Sequence, residues 1–233
     1  MRIFGKGFNY SQDGPGNRLV YHLSGCNMRC IWCSNPEGMS PKAGKEYSTS
    51  EIIEECKSSR LLFFSGGGVT FTGGEATMQH DELLEVLRVL KQEGIHTAIE
   101  TNGTSKHLSE LLKYVDYLIM DFKHYDGEAL KQYTGQSNEM ICKNFEDHCK
   151  SGRQQHIRIP LINGINASAP EKFAAYFSSF DTSNTVFEFL PYHEYGKEKW
   201  QSEYQVKDGF ISDQTLNDFI KTFKDCGLKI VKT

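Results

Sequence analysis

From about residue 49 onward the chain alternates short apolar runs with stretches of helical period, and no other feature restricts its fold as much. The runs at 18–24, 68–72, 96–100, 117–122, 156–161, 185–190 and 228–231 predict strands. Most are apolar on both faces, as strands buried in a parallel sheet are. Helices are expected at 50–59, 81–93, 105–114, 127–133, 142–151, 170–180 and 212–226. In DELLEVLRVLKQEG, Leu83, Leu84, Leu87 and Leu90 form one stripe, Asp81 can serve the N-terminus, and Gly94 stands where a left-handed terminal residue belongs. Repeated βα units with short connections predict an α/β chain of parallel strands and outer helices, as a full or partial barrel or an open sheet. In each version the working face lies at the C-terminal ends of the strands.

Chemically useful residues recur at those ends. Cys26 follows the first expected strand, Gly73-Gly74-Glu75 the second, Thr101-Asn102-Gly103 the third, Lys123 the fourth and Tyr192-His193 the sixth. The 233 residues carry no repeat, low-complexity tract or linker, so one domain over 1–233 is expected. A chain of this size buries about 70% of its unfolded surface and needs no covalent staple. Its net charge is −4 without a block of like charge, which argues against nucleic acid or an anionic membrane surface as a partner. No apolar window approaches a membrane span, and the first 20 residues lack the apolar segment of a signal peptide, so a cytoplasmic protein is expected.

Three of the seven cysteines crowd into eight residues, as Cys26, Cys30 and Cys33 in GCNMRCIWC. This CxxxCxxC spacing lets a short loop after a strand turn three thiolates toward one centre. A structural zinc wants four protein ligands, and the nearest nitrogen, on His22, lies inside an expected strand. Three thiolates on a four-iron cluster would leave one iron open to an exogenous ligand. The plainer readings are three buried thiols, or zinc completed from a distance. Cys56, Cys142, Cys149 and Cys226 sit on helical patterns at no metal spacing and read as packing.

The glycine pair at Gly73-Gly74 would let main-chain carbonyls come close to a ligand ammonium, though as a bare string it is more often a turn. It is not a phosphate loop, because no Gly-Lys-Ser/Thr follows. Asn102, Thr101, Asp121 and Lys123 together offer an amide, a hydroxyl, a carboxylate and an ammonium, which suits a zwitterionic ligand bearing ribose hydroxyls. Asp121 and Lys123 could equally form an ordinary rim ion pair. A lone histidine after a strand, such as His193, is more often structural than a ligand.

CxxxCxxC followed by GGE resembles the radical S-adenosylmethionine (SAM) superfamily. DGPG at 13–16, SGGGVT at 65–70, EGIHT at 93–97 and LPYHEYGKEKW at 190–200 are similar to its glycyl-radical activating enzymes, over a span from about residue 10 to Trp200. The resemblance implies a partial (βα)6 barrel, open on one side to admit a glycine loop. It also implies a [4Fe-4S] cluster on Cys26, Cys30 and Cys33, with the amino and carboxylate groups of SAM on the fourth iron. One electron then breaks the sulfonium C–S bond, and the 5'-deoxyadenosyl radical takes hydrogen from a glycine Cα of a pyruvate formate-lyase type partner.

Carried over residue by residue, the resemblance puts Trp32, Cys33, Ser34, Gly73, Gly74, Glu75, Asn102, Asp121, Phe122, Lys123 and His193 near SAM. Glu100, Thr101 and Asp121 match positions that hold a monovalent cation, with Glu100 in place of a shorter Asp, and Ser34 stands where close relatives carry histidine. Asp13 and Gly14 match the region that meets the substrate loop. No general base is expected, because the electron and the metal centre drive the homolysis. With a single cysteine motif, the chain is expected to draw its electron from an external donor, reduced flavodoxin or ferredoxin. A radical SAM enzyme acting on a small molecule or nucleoside, and a non-catalytic zinc-binding protein, are the alternatives.

Overall fold

The computed structural model describes residues 1–231. Among them the strands are β1 (Arg2–Tyr10), β2 (Asn17–Leu23), β3 (Lys45–Glu46), β4 (Gly68–Gly73), β5 (Thr97–Thr101), β6 (Tyr117–Asp121), β7 (Gln155–Leu161), β8 (Thr185–Pro191) and β9 (Lys229–Ile230). The helices are α1 (Thr49–Ser58), α2 (His80–Gln92), α3 (Leu108–Leu111), α4 (Gly127–Thr134), α5 (Glu139–Ser151), α6 (Pro170–Ser178) and α7 (Asp213–Asp225). The strands form one nine-stranded sheet in the order β3-β1-β2-β4-β5-β6-β7-β8-β9. β1 is antiparallel to both β2 and β3, whereas β2/β4, β4/β5, β7/β8 and β8/β9 are parallel. The expected α/β architecture, with a mostly parallel sheet that is not closed into a ring, is therefore what the chain adopts.

All seven expected strands form, within a residue or two of the expected bounds. β1 and β3 are additions. The expected helix at 105–114 is only the single turn of α3 followed by a 3-10 turn at Leu112–Tyr114. Asp81 lies in the first turn of α2 but does not cap it; Gln79 holds the capping position without a side-chain bond to the helix, its amide bonding instead to the main chain of Arg2 and Ser24. Gly94 does take the left-handed conformation, at φ 67°.

The chain divides into two compact units. The first comprises Met1–Asn27, Asn35–Thr101 and Ser105–Ile119; the second comprises Met28–Ser34, Asn102–Thr104 and the chain from Met120 on. In the first unit, alternate residues of β2 and β4 face opposite sides. Tyr21 stacks on Phe71 with ring centroids 5.6 Å apart, and its hydroxyl donates to Glu55 of α1 at 2.7 Å, so this side is covered by helix. Leu83, Leu84, Leu87 and Leu90 of α2 are all buried, as the stripe predicts. On the opposite side of the strands, Arg18 is wholly buried, donating to Thr70 Oγ1 (2.6 Å), the Val69 carbonyl (2.7 Å) and the Pro15 carbonyl (3.1 Å). Burial brings its guanidinium down to about 10, against the pull of Asp116 and Asp13.

The core of the second unit is aromatic. Phe122, Phe145, Phe173, Phe177, Phe187, Phe189, Phe219 and Phe223 are buried, and most pairs meet edge to face or tilted, with centroids 4.7 to 6.5 Å apart. Such pairs add to simple area burial because ring edges and faces carry opposite partial charge.

Candidate active site

In the first unit, the segment leading to Cys26 is fixed by main-chain bonds. Gly25 N–H donates to the Gly38 carbonyl (2.8 Å), Cys26 N–H to the Met39 carbonyl (3.2 Å), and the Gly25 carbonyl accepts from Glu75 N–H (2.7 Å). Gly73 has φ 119°, and a Cβ there would stand 2.3 Å from Leu23 N. A Cβ on Gly74 would lie 2.3 Å from the Gly25 oxygen and 2.6 Å from the Gly38 oxygen. The glycine pair thus has a reason independent of any ligand: it lets the end of β4 interlock with the cysteine-bearing segment.

Glu75 is 1% exposed. Its Oε1 accepts from Thr77 N–H (3.0 Å), Thr77 Oγ1 (2.6 Å) and Thr101 Oγ1 (2.6 Å), which ties the end of β4 to the end of β5. Glu100, one residue earlier on β5, instead accepts from Thr72 Oγ1 at 2.9 Å. Adjacent strand residues point to opposite faces, so Glu100 and Thr101 engage different neighbours.

In the second unit, the segment carrying the other two cysteines leans on the end of α4. Arg29 N–H donates to the Thr134 carbonyl (2.7 Å) and Ile31 N–H to the Tyr133 carbonyl (3.2 Å). Cys33 N–H closes a turn onto the Cys30 carbonyl (3.1 Å), and the buried Trp32 ring lies 6.5 Å from that of Tyr133. The Ser34 carbonyl accepts from Lys199 Nζ at 3.1 Å. Cys26, Cys30 and Cys33 are all outside disulfides, with Cys30 buried and the other two half-buried.

Following β6, Asp121 and Lys123 pair at 2.6 Å, with Lys123 buried. Between them the Phe122 ring belongs to the aromatic core and its N–H donates to the Arg158 carbonyl (2.8 Å), so a ligand would meet Phe122 only through its carbonyl. Asn102 Oδ1 accepts from Thr104 N–H (3.0 Å) and Thr104 Oγ1 (2.6 Å). His193 stacks on Tyr195, with centroids 4.2 Å apart, and burial lowers its pKa, favouring the neutral imidazole.

Asp13 and Gly14 are not brought to the strand ends that carry Cys26 and Gly73. They lie in the β1–β2 turn, at the opposite end of β2, about 20 Å away at the rise of a strand. There the Asp13 carboxylate accepts from the Asn9 amide and its carbonyl from Thr70 Oγ1 (2.7 Å).

Two features escaped the sequence reading. Asn166, 2% exposed, donates to the Lys123 carbonyl (2.8 Å) and the Pro160 carbonyl (2.6 Å), while its Oδ1 accepts from Ile162 N–H (2.8 Å). On β7 and β8, Glu188 receives Arg158 Nε at 2.8 Å and lies 3.0 Å from His156 Nε2. Burial works against the Glu188 carboxylate, but His156 and Arg158 together hold its pKa below the usual range. The available signal was charge at alternate positions of an otherwise apolar strand, HIRIPL.

Among the described residues no group of three or more His, Cys, Asp or Glu is gathered to hold a metal ion. In kind, though not as a ready single-ion site, the donors suit the groups suggested by the cysteine spacing. Three soft thiols suit iron, and the Asp121–Lys123 pair complements a zwitterion. The profile described as the radical SAM superfamily matches residues 20–177. The pyruvate formate-lyase-activating enzyme of Clostridium pasteurianum is 33% identical over 208 residues, covering 84% of this chain and 85% of that protein. The 4-hydroxyphenylacetate decarboxylase activating enzyme of Clostridioides difficile (strain CD196) is 28% identical over 287 residues, covering 93% and 90%. A solved domain of pyruvate-formate lyase-activating enzyme from Bacteroides vulgatus ATCC 8482 matches with a TM-score of 0.61 at 28% identity, covering 71% of this chain and 98% of that one. With its cysteine motif, its mostly parallel sheet and these relatives, the chain belongs to the radical SAM superfamily and, within it, to the activating enzymes of the pyruvate formate-lyase-activating type.

Proposed function

We propose that this enzyme uses a [4Fe-4S] cluster on Cys26, Cys30 and Cys33 to install a glycyl radical on a partner protein. The observation that carries the reading is the CxxxCxxC thiol set, free of disulfides and opening directly after β2. When bound, the cluster and SAM would supply the one-electron cleavage of the sulfonium C–S bond that provides a radical able to take one hydrogen atom from a glycine Cα. The chain's own residues bind and orient. Asp121 and Lys123 complement the charged methionine end of SAM, and by the family resemblance the Gly73-Gly74-Glu75 main chain, Asn102 and the Phe122 carbonyl are further groups to meet it. The neutral His193 ring and Trp32 offer faces for adenine. Glu100, Thr101 and Asp121 are the candidate ligands of a monovalent cation. The protein's task is placement and exclusion of water, since no proton transfer is needed at the reacting carbon.

The electron comes from a separate low-potential carrier, flavodoxin or ferredoxin, and the reading keeps the enzyme in the reducing cytoplasm as one domain over 1–233. Relatives named for pyruvate formate-lyase and for 4-hydroxyphenylacetate decarboxylase leave a short panel of partners to try. The test is anaerobic reconstitution, iron and sulfide analysis, and paramagnetic resonance with SAM and each candidate glycyl-radical enzyme. A glycyl radical with one partner is expected. A colourless protein holding zinc without sulfide would overturn the reading.

A further inference from the structure

Three residues in the second half of LPYHEYGKEKW, namely Gly196, Lys199 and Trp200, meet the cysteine segment, and the proposed use of His193 accounts for none of them. Trp200 Nε1 donates to the Cys33 carbonyl at 3.1 Å, and Lys199 Nζ donates to the Ser34 carbonyl at 3.1 Å. Gly196 lies so close that a Cβ there would stand 2.5 Å from Ser34 Cα and 2.6 Å from its oxygen. A tight turn brings the donors round: Lys197 N–H bonds to the Glu194 carbonyl (3.0 Å), Lys199 N–H to that of Gly196 (3.0 Å) and Trp200 N–H to that of Lys197 (3.2 Å).

The indole is itself fixed. Its ring meets Tyr204 edge on, with centroids 5.7 Å apart, and the Tyr204 hydroxyl accepts from that of Tyr192 at 2.9 Å. Tyr192 is buried immediately after β8, and its N–H donates to the Leu161 carbonyl at the end of β7 (3.0 Å). A line of contacts thus runs from the sheet through Tyr192, Tyr204 and Trp200 to the main chain of Cys33.

We propose that Trp200 is a positioning residue for the third cluster cysteine, acting through the hydrogen bond from its indole to the Cys33 carbonyl. The inference rests on the functional reading above, since it takes Cys33 as a cluster ligand. Cys33 lies in a turn without strand or helix around it. Its N–H is taken by Cys30, and the indole takes its carbonyl, so side-chain rotation is the main freedom left to its thiolate. Groups that restrain a ligand from behind commonly decide how firmly the metal is held. Indole is a donor only, so phenylalanine keeps the ring and loses the bond.

The test compares reconstituted wild-type protein with Trp200→Phe, Trp200→His and Lys199→Met. It reads iron release to a chelator, the resonance spectrum of the reduced cluster and the melting of the cluster-free protein. Trp200→Phe is expected to release iron about tenfold faster and to alter the spectrum, with the cluster-free melting temperature little changed. Trp200→His restores an N–H donor and should recover part of the loss. Lys199→Met, which removes the neighbouring tether at an exposed position, should shift release less. Release and spectrum equal to wild type in Trp200→Phe, or a fall in cluster-free melting as its only effect, would overturn the role. A wild-type protein that builds no cluster would instead overturn the functional reading, and this one with it.

Discussion

The strand-end segments of the two units are secured in different ways. Around Cys26 the first unit relies on main chain against main chain: Gly73 and Gly74 pack on the backbone of Leu23, Gly25 and Gly38 with no room for a Cβ on either, backed by the buried carboxylate of Glu75. Around Cys30, Cys33 and Lys123 the second unit adds, to main-chain bonds onto α4 and the close approach of Gly196 to Ser34, side chains that reach backbone carbonyls, from Trp200, Lys199 and Asn166. The first kind of contact fails abruptly, because main chain cannot step aside. The second kind fails by degrees, one hydrogen bond at a time.

Gly74→Ala is the strongest challenge to this contrast, and should cost about 3 kcal/mol or more, enough to leave little soluble protein. Near wild-type stability in chemical denaturation would show that the interlock yields after all. Thr101→Val removes one donor from the buried Glu75 carboxylate and should cost about 1–3 kcal/mol by the same measurement. Asn166→Ala should cost less, about 1–2 kcal/mol, while raising the KM for SAM more than it lowers kcat, because Asn166 holds the main chain of Lys123. An unchanged KM would make Asn166 purely structural.

The smallest effect concerns acid. Because its partners hold Glu188 below the ordinary 4.5, its stabilising contribution is full above that pH and fades as pH falls through the lowered folded-state value. Glu188→Gln should therefore melt below wild type at neutral pH, with the gap closing under acid. A gap constant with pH would show that Glu188 does not stay ionised through that range.

Much of this arrangement was legible from the chain. The leucines of α2 and the apolar runs of β2 and β4 to β8 carry their period within a few residues, so local pattern and buried face coincide. The ends of those strands then marked Cys26, Gly73 and Lys123 directly. β1 escaped because RIFGKGFNY contains two glycines and leaves Lys6, Gly7 and Phe8 exposed, which is the dress of an outer strand and not of a core one. The bond from Trp200 to Cys33 spans 167 residues, and the Arg158–Glu188 pair depends on the register of β7 against β8; neither has a local signature. DGPG was recognisable as a turn just before β2, but that it joins β2 to an antiparallel β1 is seen only in the strand pairing.

Phe122 sits in sequence between two ionic side chains while its ring is moored among Phe145, Phe173, Tyr176 and Phe177. On the proposed role of Asp121 and Lys123 in holding SAM, that mooring makes the hydrophobic interior part of the cofactor's address. Trimming a ring of α6 such as Phe177 would let residue 122 drift, and Asp121 and Lys123 would drift with it. Variants selected only for heat tolerance in that cluster should therefore carry altered affinity for SAM as a passenger trait.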